Sequence, residues 1–134
     1  MHNALLCNAA EVDPRGLVSM LGAFVDQIVG PSLPIRGQLW LVARVILHPA
    51  DDGDHAFQVE VVGRDGEQVT RVEGTFTGPP PGTSEDPELP TGGNLVVPLA
   101  LEFRRAGVYD VRLLLDGEPR SNLPLRVRLL GAGT

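Results

Sequence analysis

The clearest pattern in the chain is the alternation of apolar and polar residues from Ala106 to Leu130. Val111, Leu113 and Leu115 alternate with Asp110, Arg112 and Leu114, and Asp116-Gly117-Glu118-Pro119 then supplies turn residues. Leu123, Leu125, Val127 and Leu129 alternate with Pro124, Arg126 and Arg128 on the way back. Side chains on a strand point to opposite faces at every second position, so this is a β-hairpin with one apolar and one mostly charged face. Asp110, Arg112, Arg126 and Arg128 read as a charge-paired outer surface. The apolar face cannot be buried within one hairpin, which calls for a second layer of sheet.

The rest of the chain supplies that layer. Asn3 to Val12 reads as a strand closed by the turn Asp13-Pro14-Arg15-Gly16. Leu17 to Val29 fits helix or strand by spacing; Gly22 in its middle, a frequent mark of a β-bulge, and its β-rich neighbours favour strand for the greater part. Gly30-Pro31-Ser32-Leu33-Pro34 breaks the ladder as a loop crossing between sheets. From Gln38 to Leu47, one face carries Leu39, Leu41, Ala43, Val45 and Leu47 with no polar member, and is assigned to the core. His48 to His55 is an acidic hairpin loop. A strand from Ala56 to Gly63, an Asp65-Gly66 two-residue turn and a more polar return strand from Gln68 to Gly78, placed near a sheet edge, follow. After the irregular Pro79–Gly93 segment, Asn94 to Phe103 turns Leu95, Val97, Leu99, Leu101 and Phe103 inward.

About eight strands separated by turn signals, with no firm helix, predict an all-β fold: a two-sheet antiparallel β-sandwich of immunoglobulin-like type. It occupies residues 1–130 as a single domain with a flexible tail at 131–134. Tyr109, just after Gly107 at the start of a late strand, is either a tyrosine corner whose hydroxyl reaches back to upstream backbone or simply an amphipathic core residue.

Several short segments occur in an order that resembles a family of small bacterial and bacteriophage proteins catalogued only as a domain of unknown function. They are Ala10-Glu11, Gly16-Leu17, Leu21-Gly22, the Pro34 break, Glu73-Gly74-Thr75-Phe76, Val97-Pro98-Leu99, and Gly107-Val108-Tyr109 leading to Asp116-Gly117. The resemblance implies a compact β-sandwich resident in the cytoplasm and supplies no activity or catalytic residue. The chain departs from the pattern in its proline-rich loop and in the two-sided apolar run around Trp40.

Composition narrows the function classes. A chain of 134 residues buries roughly two-thirds of its unfolded surface without disulfide or metal staples. The lone cysteine, Cys7, has no partner for an intrachain disulfide, which favours a reducing compartment and a cytoplasmic location. The net charge of -6 argues against nucleic acid and anionic membrane surfaces as partners. All the cationic residues are arginines, so every positive charge is fixed. The opening segment lacks a basic region and is interrupted by Asn8, unlike a signal peptide. No run is long enough to span a membrane as a helix.

Candidate chemistry is sparse. No nucleophile is paired with a base: His2 lies at the start of the chain, and His48 and His55 flank one loop as solvated side chains. No catalytic residue, cofactor or metal site is assigned, and the expectation is a non-enzymatic protein. Asp51, Asp52 and Asp54 lack the spacing of a calcium loop and read as a solvated turn. The alternative function is a small-ligand or cation-binding module using the 48–55 or 79–93 loop. The segment at 79–93 has five prolines and three glycines and serves as connector or contact site. What remains is an excess of apolar residues facing away from the core: Trp40, Val42 and Ile46 on one strand, Val96, Pro98 and Ala100 on another. Either the N-terminal segment covers them, or a protein partner or second copy does, giving a homodimer or complex with Trp40 as anchor. The partner-binding residues assigned on this basis are Trp40, Val42, Ile46, Val96 and Pro98.

Overall fold

Nine strands build the protein in a computed structural model that describes residues 3–47, 53–77 and 91–131. They are β1 (Asn3–Val12), β2 (Val18–Ala23), β3 (Gln27–Gly30), β4 (Ile35–Leu47), β5 (Asp54–Gly63), β6 (Gln68–Thr77), β7 (Thr91–Phe103), β8 (Gly107–Leu115) and β9 (Glu118–Leu129). Two sheets result, in the orders β2-β1-β4-β7 and β3-β9-β8-β5-β6. β4 and β7, set opposite β5, β8 and β9, hold the places of the B/E and C/F/G strands of an immunoglobulin sandwich. The ninth strand arises because Leu17 to Val29 is not one element: β2 pairs with β1, and β3 pairs in parallel with β9 in the other sheet. Every other strand pair among the described residues is antiparallel.

The alternation sets the core. β4 and β7 pair in register from Ile35↔Phe103 to Leu47↔Thr91, so Leu39 faces Leu99 and Leu41 faces Val97 on one side. Those residues, with Ala43, Val45 and Leu101, are buried against Val59, Val61, Val111, Leu113, Leu125 and Val127 of the second sheet. Each fully buried Val or Leu is worth about 1.5–3 kcal/mol relative to exposure, which makes this shared layer the main stabilising term. β7 begins at Thr91, three residues before the predicted strand, because pairing with the end of β4 extends it. β6 is a sheet edge, as its polarity predicts.

The two Asp-Gly turns differ. Asp116 and Gly117 both adopt positive φ, at 52° and 80°, and join Leu115 to Glu118 as a two-residue turn matched to strand twist. At the β5–β6 connection only Gly66 is left-handed, at 96°. The Gly66 N–H donates to Gly63 O and the Gly63 N–H to Glu67 O. This is a three-residue loop, Arg64-Asp65-Gly66, rather than the predicted two-residue turn. On the outer face of the β8–β9 hairpin, Asp110 is 9% exposed and lies 3.7 Å from Arg64 Nε. It thus pairs with the β5–β6 loop and not with the neighbouring strand arginines, while Arg128 donates to Gln27 on β3.

Tyr109 is a tyrosine corner. Its hydroxyl donates to the Arg105 carbonyl at 2.7 Å, bridging the turn where the chain crosses from β7 to β8. Its ring lies 4.8 Å from that of fully buried Phe103. Burial first, then the Glu67 and Asp65 carboxylates, holds the phenol above its ordinary pKa, so it remains a donor across the neutral range. Tyr109→Phe removes one hydrogen bond and is expected to cost about 1 kcal/mol in urea denaturation. Tyr109→Ala also empties the packing site beside Phe103 and is expected to cost about 3–5 kcal/mol by the same measurement.

Candidate functional site

The most unusual local geometry lies between Cys7 and Asp26. β1 serves two partners: Asn3 to Cys7 pair with Arg44 to Trp40 of β4, whereas Cys7 to Val12 pair with Ala23 to Val18 of β2. A straight strand would carry the tip of the β1–β2 hairpin about 30 Å past Asn3. Instead Gly16 O, at that tip, accepts a 2.8 Å hydrogen bond from Asn94 Nδ2, and Asn94 belongs to the row that contains Arg44 and Asn3. The hairpin therefore forms an arm that doubles back over the outer face of the four-stranded sheet.

Left-handed residues in the arm accompany the reversal. Gly22 has φ 62°, and a side chain there would collide with Asn8. No residue is inserted at this point, since Cys7↔Ala23 and Ala9↔Leu21 on either side of Gly22 share one register; the expected bulge is a change of backbone conformation only. Phe24 has φ 64°, a rare conformation for an aromatic residue. With 77% of its surface exposed, packing does not hold it. The chain on its far side does: the Val25 N–H donates to Leu6 O, and Asp26 O accepts from the Arg126 N–H, which fixes the crossing between sheets. At the tip, Asp13 Oδ1 accepts from the amides of Arg15 and Leu17. The Arg15 hydrogen bond holds the Asp13 carboxyl below its ordinary pKa.

The register brings several of the sequence-predicted contact residues together. Trp40 is opposite Pro98, and Val42 opposite Val96. Val42 is buried, Trp40, Ile46 and Val96 are half-buried, and Pro98 is exposed. The larger exposed apolar surface is on the arm, where sequence reasoning did not place it. Val12, Leu17, Met20, Leu21 and Phe24 account for five of the eight large hydrophobic residues left exposed among the described residues. Leu21 is 73% exposed. The available signal was that Leu17 to Phe24 carries no charge and has apolar residues at both parities, more than one buried face can absorb.

The candidate polar chemistry divides between described and undescribed residues. His2, His48, Asp51, Asp52, residues 79–90 and residues 132–134, on which the loop and tail expectations rest, lie outside the described residues. His55 is not a solvated loop side chain. It sits in β5, its ring stacks on Phe76 at 5.4 Å, and its Nδ1 lies 2.7 Å from Asp116 Oδ2. Pairing of β5 with β6 and contact with the β8–β9 turn draw it in. Asp116 Oδ1 also accepts from the Ala56 N–H at 2.9 Å, so this carboxylate ties the turn to the start of β5. Among the described residues no group of three His, Cys, Asp or Glu side chains is arranged to hold a metal. Cys7 is buried, and desolvation raises its thiol pKa. No helix among them is long and apolar enough to cross a membrane.

A family model described as a family of unknown function (DUF6941) matches residues 2–128. No curated protein matches the chain.

Asp116 carries a pH signature. Its carboxyl lies below its ordinary pKa, chiefly through the His55 hydrogen bond and then the Ala56 amide. A depressed folded-state pKa contributes stability that is complete above the unfolded carboxyl pKa and lost as pH falls through the folded value. Asp116→Asn keeps an acceptor for Ala56 and tolerates positive φ but removes the charge. It is expected to be less stable than the native protein at neutral pH and to lose that difference in acid, as measured by chemical denaturation across pH.

Proposed function

The chain belongs to the DUF6941 family, a family of unknown function, and from that premise we propose that it is a non-enzymatic module that works by protein contact. The observation that carries this reading is the concentration of exposed apolar side chains on the β1–β2 arm, where Leu21 and Phe24 are each more than 70% exposed. Large apolar side chains concentrated on one element and presented to water mark interaction sites. Trp40, Ile46, Val96 and Pro98 lie on the outer face of the sheet that the arm leans over and are half-buried or exposed, which makes them further candidates for the contact. Phe24 supports the reading independently, since a left-handed aromatic exposed to solvent retains a costly conformation that its own packing does not repay. The acidic balance of the chain favours protein partners over nucleic acid or anionic lipid. A reducing cytoplasm is the compartment we assign, because Cys7 is a free, buried thiol.

The test is Leu21→Ser combined with Phe24→Ser. Both side chains are exposed, so folding stability should change by no more than about 0.5 kcal/mol each. Loss of two apolar anchors should weaken a real contact at least tenfold, about 1.4 kcal/mol. Sedimentation velocity of the pure protein and quantitative affinity capture from the native host are expected to show self-association or bound protein that the double variant loses. Native and variant chains that are both monomeric and capture the same proteins in equal amounts would refute the proposal.

A further inference from the structure

Under the arm lies a cavity of about 830 Å³, within the range of roughly 300–1,000 Å³ typical of clefts that hold ligands. Two features give it a chemical identity. The first is backbone. Among the described residues, β1 is paired over Asn3–Leu5 with β4 on one side only, because β2 joins it from Cys7 onward. Over Ser121–Leu123, β9 is likewise paired among the described residues with β8 on one side only, because β3 joins it from Arg126 onward. Both half-paired segments line this one cavity. Pro119 and Pro124, which have no N–H to offer, bracket the β9 segment. The cavity thus borders on both sheets where neither has a further strand among the described residues, the setting for β-strand addition.

The second feature is charge. In a chain with 17 acidic and 11 basic residues, the described lining contains one charged group, and it is Arg44. Its exposed guanidinium makes no ion pair or side-chain hydrogen bond with any described residue. Asn3, Asn94 and Asn122 surround the same space and Phe24 and Leu5 supply an apolar wall. A carboxylate is the partner that matches a guanidinium's planar fork of donors.

We infer that this groove takes an extended segment of a partner protein as an added strand, with an acidic side chain of that segment on Arg44. The inference rests on the protein-contact reading and specifies its partner. Main-chain bonding to the free edges supplies affinity, and Arg44 supplies selectivity.

Selection of phage-displayed random heptapeptides on the full chain tests it, with a parallel selection on Arg44→Glu. The expected result is a consensus with an acidic residue at one fixed position flanked by β-forming residues, replaced by a basic residue on the Arg44→Glu chain. A synthetic consensus peptide should shift the amide resonances of Asn3–Leu5 and Ser121–Leu123. Changing its acid to the amide, or Arg44 to Gln, should weaken it at least tenfold; the first change leaves the protein untouched, so misfolding cannot imitate the effect. A consensus without a fixed acid, affinity indifferent to Arg44, or shifts confined to other residues overturns the inference. So does saturation of the groove by acetate or inorganic phosphate alone with no peptide selected. If any of these occurs while the Leu21/Phe24 double variant still loses its bound protein, protein contact stands and the strand-addition site alone falls.

Discussion

The β4–β7 pairing is the constraint on which the rest of the molecule depends. Thirteen residue pairs in unbroken register align two inner rows that carry no polar side chain from Ile35 to Val45 on β4 and from Gly93 to Phe103 on β7, so that face of the sheet must be removed from water. Nothing smaller than a second sheet spans it, and β5, β8 and β9 provide that cover through their own buried rows. The crossings between sheets follow from this demand. The chain passes from β7 to β8 within a short turn, where the Tyr109 hydroxyl occupies the Arg105 carbonyl. At Phe24 to Asp26 it passes from β2 to β3, with hydrogen bonds to Leu6 and Arg126 on either side. Each of these two crossings is held by bonds to the sheet it leaves or the sheet it enters.

Strands with one buried face were legible in the sequence because that burial imposes a period of two. The inner rows of β4, β7, β8 and β9 follow from alternation alone, and the end of β1 from the turn Asp13-Pro14-Arg15-Gly16. What was not legible depends on partners distant in sequence. The division of Leu17 to Val29 requires β9, since β3 exists only as its parallel neighbour. The placing of His55 requires Asp116, sixty-one residues away. Two Asp-Gly pairs of identical composition form different turns, because each is fitted to the registers of the strands it joins. Local chemistry selected turn residues correctly and left the turn type to tertiary structure.

The candidate site shows the same division more sharply. The β4–β7 register sets Trp40 opposite Pro98 and Val42 opposite Val96. Reading outward-facing apolar residues along two separate strands picked out Trp40, Val42, Ile46, Val96, Pro98 and Ala100 without pairing the strands. It could not say how much of that face would remain open, because the element that leans over it, the β1–β2 arm, is positioned by the Gly16–Asn94 hydrogen bond and by the left-handed backbone at Gly22 and Phe24. Val42 is buried in consequence, although it faces away from the core.

A two-stranded arm has two faces and only one body to lean on. Val18 and Met20, on one face, border the cavity above Val42 and Leu5. Leu17 and Leu21 lie at the opposite parity, do not line that cavity, and are left exposed. Shielding one apolar surface thus exposes another, and the total is not reduced by folding. A soluble chain lowers that cost by placing charge on the outer face of such an arm. Glu11, paired with Ser19 beside Leu21, is the only charged residue within the β1–β2 ladder. The apolar character of the arm's outer face therefore rests on Leu17, Leu21 and Ala23, three of the four alternate positions from Leu17 to Ala23, with Ser19 as the fourth, and not on one exposed side chain.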